Sequence, residues 1–248
     1  MPDVTPEVSV VVPLRDEDAN IGLLHEELTA ALAGIDAGYE IILIDDGSED
    51  TTWAQVAAAH ARDARVRGIR FTRNFGQTSA FAAGFAAAQG RFIVTCDGDL
   101  QNDPADIPRM LSLAAEHDIV CGWRRHRKDA FLTRHVPSVV ANWLIGRVSG
   151  VRLHDNGCSL KVYRATVVKP LRLRPGMHRY LPALGSQFGR RIVEVEVNHR
   201  PRRFGASKYG LSRTFRVLAD IVHLRRLMRE AGQGAADPGL FHIAERLD

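Results

Sequence analysis

The chain has 248 residues, is 45% hydrophobic and carries a formal net charge of +4, from 33 Lys and Arg against 29 Asp and Glu. That length and apolar content suit one large α/β core with an appendage, and no repeat or low-complexity tract interrupts it. Nucleic acid is excluded as a partner, because no recognition-helix or RNA-binding motif is present and the arginines are not interleaved with stacking aromatics. An anionic membrane surface or a phosphorylated substrate remains to explain the basic balance. Cys96, Cys121 and Cys158 show no metal-ligand spacing and read as small core residues in a reducing cytosol. Met1-Pro2-Asp3 opens without a basic segment and an apolar stretch, so no signal peptide is expected.

The first element, Val8-Ser9-Val10-Val11-Val12-Pro13, is a β-branched strand stopped by proline. Arg15, Asp16 and Glu17 follow, then a helix with Ile21, Leu24, Leu28 and Leu32 on one face. A second strand, Ile41-Ile42-Leu43-Ile44, runs into Asp45-Asp46-Gly47-Ser48, with Asp50 or Thr51 as cap of the next helix. A strand around Gly68 to Phe71 leads to Arg73-Asn74-Phe75-Gly76-Gln77, and residues 77 to 89, with Phe81 and Phe85 four apart, form a tightly packed helix. Phe92-Ile93-Val94 then ends in Asp97-Gly98-Asp99-Leu100-Gln101. Asp-x-Asp alone is an ordinary turn. Three strand ends carrying acids, each followed by a helix, place the carboxylates along one edge of a parallel sheet, where such sheets bind ligands. Mg²⁺ or Mn²⁺, held by one or two carboxylates together with substrate phosphates, suits that edge.

Arginines crowd the second half: Arg124, Arg125, Arg127 and Lys128, then Arg190, Arg191, Arg200, Arg202 and Arg203. Arg124 follows a strand, Ile119 to Trp123, and stands at the same edge. Arg202 and Lys208 flank a glycine-containing loop that can close over an anion. Residues 191 to 198 alternate as a half-exposed strand. Two segments have amphipathic spacing with arginines alongside: Val136 to Val148, bearing Trp143, and Leu211 to Met228. Neither reaches the ~18 consecutive apolar residues needed to cross a bilayer.

Six motifs in this order resemble the glycosyltransferase family 2 enzymes of GT-A fold, in the branch that makes dolichyl- or undecaprenyl-phosphate sugars. They are Val10 to Pro13 with Glu17, Ile44 to Ser48, Arg73 to Gln77, Asp97 to Gln101, Asp155 to Cys158, and Arg202 to Tyr209. The resemblance implies a Rossmann-like, mostly parallel sheet flanked by helices, with a C-terminal amphipathic helix. It implies inverting transfer of a sugar from a UDP- or GDP-sugar to a polyprenyl phosphate with Mg²⁺ or Mn²⁺. By motif, Pro13, Arg15, Glu17, Ile44, Asp46, Asp97, Gly98 and Arg124 would line the donor. The family often has tyrosine at the Arg15 position. Asp99 would ligate the metal with Gln101 as second ligand, and Arg202 and Lys208 would stabilise the departing diphosphate. Asp155 would position the acceptor or act as a weak base, with a turn aspartate as the equal alternative, and Asp45 is assigned to its turn.

The expected organisation is a catalytic domain over 1–210, an amphipathic helix over 211–231, at the membrane interface or packed on the core with equal weight, and a flexible tail over 232–248. The expected location is cytoplasmic, peripheral at the cytoplasmic face of the membrane, through direct contact or a separate membrane subunit. Rival readings are a family 2 enzyme acting on a sugar or protein hydroxyl, a nucleotidyltransferase, and a catalytically inactive subunit.

Overall fold

The computed structural model describes residues 5–35, 38–125, 136–203, 224–231 and 239–248. Strands β1 (Val8–Leu14), β2 (Tyr39–Asp45), β3 (Val66–Phe71) and β4 (Phe92–Thr95) alternate with helices α1 (Asp18–Leu32), α2 (Thr52–Arg62) and α3 (Gln77–Ala87). Then come α4 (Ile107–Ala114), β5 (Ile119–Trp123), α5 (Val136–Ser149), β6 (Lys161–Arg164), α6 (Ala165–Val168), α7 (Leu181–Gly185) and β7 (Ile192–Glu196). A helix, α8 (Leu224–Ala231), and a last strand, β8 (Ile243–Leu247), close the described chain. The strands form one sheet in the order β7-β5-β6-β4-β1-β2-β3-β8. Neighbours run parallel except where β6 lies between β4 and β5 and where β8 flanks β3.

The strand directions matter for function. β1 to β5 and β7 all end at one edge, and the antiparallel β6 and β8 begin there. β1 and β2 are apolar on both faces because both faces are covered, as parallel strands require. Val11, Ile42 and Ile44 pack under α3, α5, α6 and α7, whereas Val10, Val12, Ile41 and Leu43 pack under α1, α2 and α4. The expected helical face of α1 is confirmed: Ile21, Leu24, Leu28 and Leu32 are all buried. Phe81 and Phe85 stack at 5.8 Å, and the helix carrying them ends at Ala87. All three cysteines are free and buried.

One expectation for the C-terminal part is corrected, and one open alternative is decided within 224–231. Residues 239–248 are no loose tail, since β8 pairs antiparallel with β3 and Arg67 reaches Asp248 at 2.7 Å. The apolar side of α8 is covered by protein: Leu224 and Ala231 are fully buried, with Leu227 and Met228 packed on the same core. Its arginines face outward, so within 224–231 the ordinary amphipathic packing explains the pattern. Residues 211–223 lie outside the described part. In α5, Leu144, Ile145 and Val148 face the core, while Trp143 stands 63% exposed. Among the described residues no helix is long and apolar enough to cross a membrane.

Gly47 explains the third residue of Asp-Asp-Gly-Ser. Its φ is +66°, and a Cβ there would lie 2.3 Å from the carbonyl carbon of Arg73. Both the left-handed backbone and the crossing chain require glycine. Gly47→Ala is therefore expected to cost about 1–3 kcal/mol in urea unfolding. A midpoint within experimental error of the wild type would refute this account of the turn.

Candidate active site

The carboxyl edge collects the predicted residues in three groups. At the end of β1, the Arg15 guanidinium donates to the carbonyls of Asp46 (3.1 Å) and Gly47 (2.8 Å) and pairs with Asp16 and Glu49. Asp16 has φ +48°, and its carboxylate accepts from the Glu49 amide at 2.9 Å. Arg15 thus ties the β1 and β2 turns together. Pro13 is half-buried beside it, and Glu17, at the start of α1, accepts from the Asn20 amide. Ile44 is wholly buried, so only its backbone can face a ligand. Asp45 does serve the turn, accepting from the Ser48 amide at 2.8 Å. Asp50, beside the Thr51 cap of α2, accepts from the Thr52 amide at 2.9 Å.

Asp46 is 4% exposed, and its carboxylate accepts from the amides of Phe75 (2.7 Å) and Gly76 (2.9 Å) and from the Asn74 side chain (3.2 Å). Here the Arg73-to-Gln77 motif, for which the sequence offers no derivable chemistry, shows its role: it is the partner of Asp46. Burial outweighs those donors and pushes the Asp46 carboxyl up to about 6. The folded pKa lies above the unfolded value of roughly 3.9. Between about pH 4 and pH 6 the native state therefore holds the extra proton, and stability falls as pH rises through that window. Asp46→Asn is expected to flatten that stretch in urea titrations at pH 4, 5, 6 and 7. An unchanged slope would remove Asp46 as its source.

The second group is the loop after β4. Gly98 packs against β1, where a Cβ would lie 2.4 Å from Leu14 Cδ2. Leu100 takes φ +60°, unusual for a branched residue and found mostly where function holds the strain. Asp97 and Asp99 lie on the turn that ends at this residue. Asp97 accepts from the Gln77 side chain at 2.8 Å and gives its amide to Asn102 at 3.1 Å. Asp99 is 8% exposed, and Arg202 donates to it at 2.6 Å. Burial, then the Asp97 charge, push its carboxyl up, so the pocket favours a cation beside it. Gln101 lies along the segment that carries Arg202, with its side chain 3.4 Å from the Arg200 carbonyl. Arg200 locks that segment through a fork to Glu27 (2.9 and 2.8 Å) and a contact to Asp103 (3.0 Å).

The third group joins Arg124 to Asp155. The guanidinium meets both carboxylate oxygens, at 2.7 and 3.0 Å, and both side chains are nearly buried. Glu194 fixes the Asp155 loop by accepting from the amides of His154 (2.9 Å) and Asp155 (2.8 Å). β4 and β5 run in the same direction, so the second and third groups, which follow these strands, stand at the same edge. Lys208 lies outside the described residues. Asn102, Glu27 and Glu194 were not singled out from sequence, and Gln77 and Arg200 were named there without a role. Asn102 adjoins a recognised motif and Gln77 closes one, but nothing in the sequence joins Arg200 to Glu27.

Comparison with known proteins decides the family. The model of glycosyl transferase family 2 matches residues 9–172. The chain belongs to glycosyltransferase family 2. The transferase is 47% identical to a dodecaprenyl-phosphate galacturonate synthase of Rhizobium johnstonii, over 95% of this chain and 70% of that protein. It is 37% identical to an undecaprenyl-phosphate 4-deoxy-4-formamido-L-arabinose transferase of Aeromonas hydrophila, over 87% of this chain and 66% of that protein. Among solved structures, glucosyl-3-phosphoglycerate synthase of Mycobacterium tuberculosis in complex with Mn²⁺, UDP-glucose and phosphoglyceric acid superposes with TM-score 0.69. That match has 19% identity and covers 98% of this chain and 89% of the other, a likeness of fold. The expected GT-A arrangement of a Rossmann-like sheet flanked by helices is confirmed.

Proposed function

We propose that the transferase moves a sugar, with inversion, from a UDP- or GDP-sugar to a polyprenyl phosphate. The observation that carries this reading is the state of Asp155. Both of its oxygens are engaged by Arg124, which makes it a poor proton acceptor and a good anchor for a guanidinium at the sheet edge. A lipid phosphate is already an anion at neutral pH and needs no strong base, unlike a sugar hydroxyl. Arg124, held by Asp155, would stay against the donor as its motif implies, and the relatives named for polyprenyl-phosphate transfer support the choice of acceptor.

Donor binding follows from the edge. The nucleotide would lie across the ends of β1, β2 and β4, against Pro13, Arg15, Glu17, the Ile44 backbone and the Asp46 turn, with Asp97 and Gly98 beside the ribose and diphosphate. Among the described residues no cluster of three metal-ligating side chains exists. Asp99, with Gln101 as second ligand, would hold a hard cation whose remaining ligands would come from substrate phosphates. The contact of Arg202 with Asp99 supports a positive charge beside this carboxylate. When bound, Mg²⁺ or Mn²⁺ would stabilise negative charge on the departing diphosphate. Arg202 and Lys208 would supply the same stabilisation from the protein side. Trp143 and Arg147, one turn apart on the exposed side of α5, suit peripheral contact with the cytoplasmic face of a membrane, directly or through a membrane subunit.

The test is nucleotide release by purified protein from UDP- and GDP-sugars, with Mn²⁺ or Mg²⁺, with and without undecaprenyl phosphate. Release that requires the lipid phosphate supports the reading and names the donor. Donor binding without lipid-dependent release sinks it in favour of a hydroxyl acceptor or an inactive subunit.

A further inference from the structure

We propose that the C-terminal segment Gly239–Asp248 is a working part of the donor-nucleotide site, with Phe241 as its positioning residue. The inference rests on the reading that a nucleotide occupies the β1 to β3 end of the sheet edge. Because β8 runs antiparallel to β3, its first residues arrive at that edge rather than at the far side. The pairing slips register between Arg70 and Phe71, an irregularity of the kind that re-aims chain beside active sites. Phe241 stacks on Phe71 at 5.0 Å, and Phe71 meets the edge of Phe75 at 5.8 Å. His242 closes on the other side of Phe75, with ring centroids 5.6 Å apart, and its carbonyl accepts from the Thr72 amide at 3.0 Å. Ser79, in the first turn of α3, lies 3.0 Å from the carbonyls of both Phe75 and Leu240.

Phe75 is the residue whose amide binds Asp46, so the segment holds the loop that holds the buried carboxylate. It also borders the Arg15 end of that site. A cavity at this edge is lined by Arg15, Ser48, Arg70, Arg73 and Asn74, and its wall includes Ala244 of β8. Arg15, Arg70 and Arg73 outnumber the one carboxylate of the lining, Glu49, which suits an anionic ligand, and Gly47 and Ser48 of the wall belong to the turn that carries Asp46. The last strand lies nearly 200 residues from that turn in sequence yet supplies part of the same wall.

Two variants test this by calorimetry with UDP and with GDP in Mn²⁺, together with steady-state kinetics. Phe241→Ala loosens the clamp, and Ala244→Trp fills the cavity from an exposed position that the fold does not need. Both are expected to weaken the nucleotide by about tenfold or more, with the KM for undecaprenyl phosphate unchanged. A merely structural role would reduce the folded fraction without moving the nucleotide Kd of the remainder. If Phe241→Ala does not fold, Ala244→Trp still decides. Wild-type nucleotide affinity in the folded variants overturns the inference and leaves the transferase reading intact. Absence of nucleotide binding by the wild type overturns both.

Discussion

Asp99→Ala is expected to lower kcat/KM by about a thousandfold, the scale on which removal of one preorganised electrostatic partner acts. Asp99 stands on a turn strained at Leu100, is nearly buried, and carries Arg202 at 2.6 Å. Its environment raises the energy of the bare carboxylate through burial and through Asp97. A cation relieves both, so cation binding and nucleotide binding should fall together in the variant. Asp99→Asn keeps the shape and loses the charge, and should be as inactive. Stability should change little, because Arg202 is partly exposed and can turn to solvent. Steady-state kinetics with Mn²⁺, beside thermal melts, separate these effects. Activity within tenfold of the wild type would dismiss Asp99 as the centre of the diphosphate site.

Breaking the Arg124–Asp155 pair is the second large effect. Arg124→Ala and Asp155→Ala should each cost about 3–5 kcal/mol in urea unfolding, because each leaves one buried charge without its partner. The double variant Arg124→Leu with Asp155→Leu should be far less damaging than the sum of the two losses, since no lone charge remains. All three should lose lipid-dependent transfer. Stability therefore recovers in the double variant while activity does not. Strict additivity of the two single losses would mean that the side chains act separately, contrary to their 2.7 and 3.0 Å contacts.

Some features were legible in the sequence because their causes are local. β1, β2 and β4 are apolar runs ended by proline or acids, and periodicity alone placed the buried face of α1. The acidic strand ends could be assigned to one edge because parallel connections bring them there. Six motifs in order identified the family. What the sequence left open or misread lies where local pattern has two tertiary meanings. The arginine-lined spacing of Leu224 to Met228 reads as a membrane face or a packed face with equal ease, and only the core beside it decides. Residues 232–248 look like a linker and tail, but an open edge at β3 takes in the last strand.

By itself, then, the sequence determined the strand and helix succession, the edge where ligands gather, and membership in glycosyltransferase family 2. The tertiary structure decided which carboxylates face inward to the protein and which remain available. Asp46 turns to the Phe75 loop, Asp155 to Arg124, and Asp99 to Arg202, across 29, 31 and 103 residues of chain. Such pairings depend on where burial leaves a charge in need of a partner, and burial is a property of the packed molecule rather than of any segment.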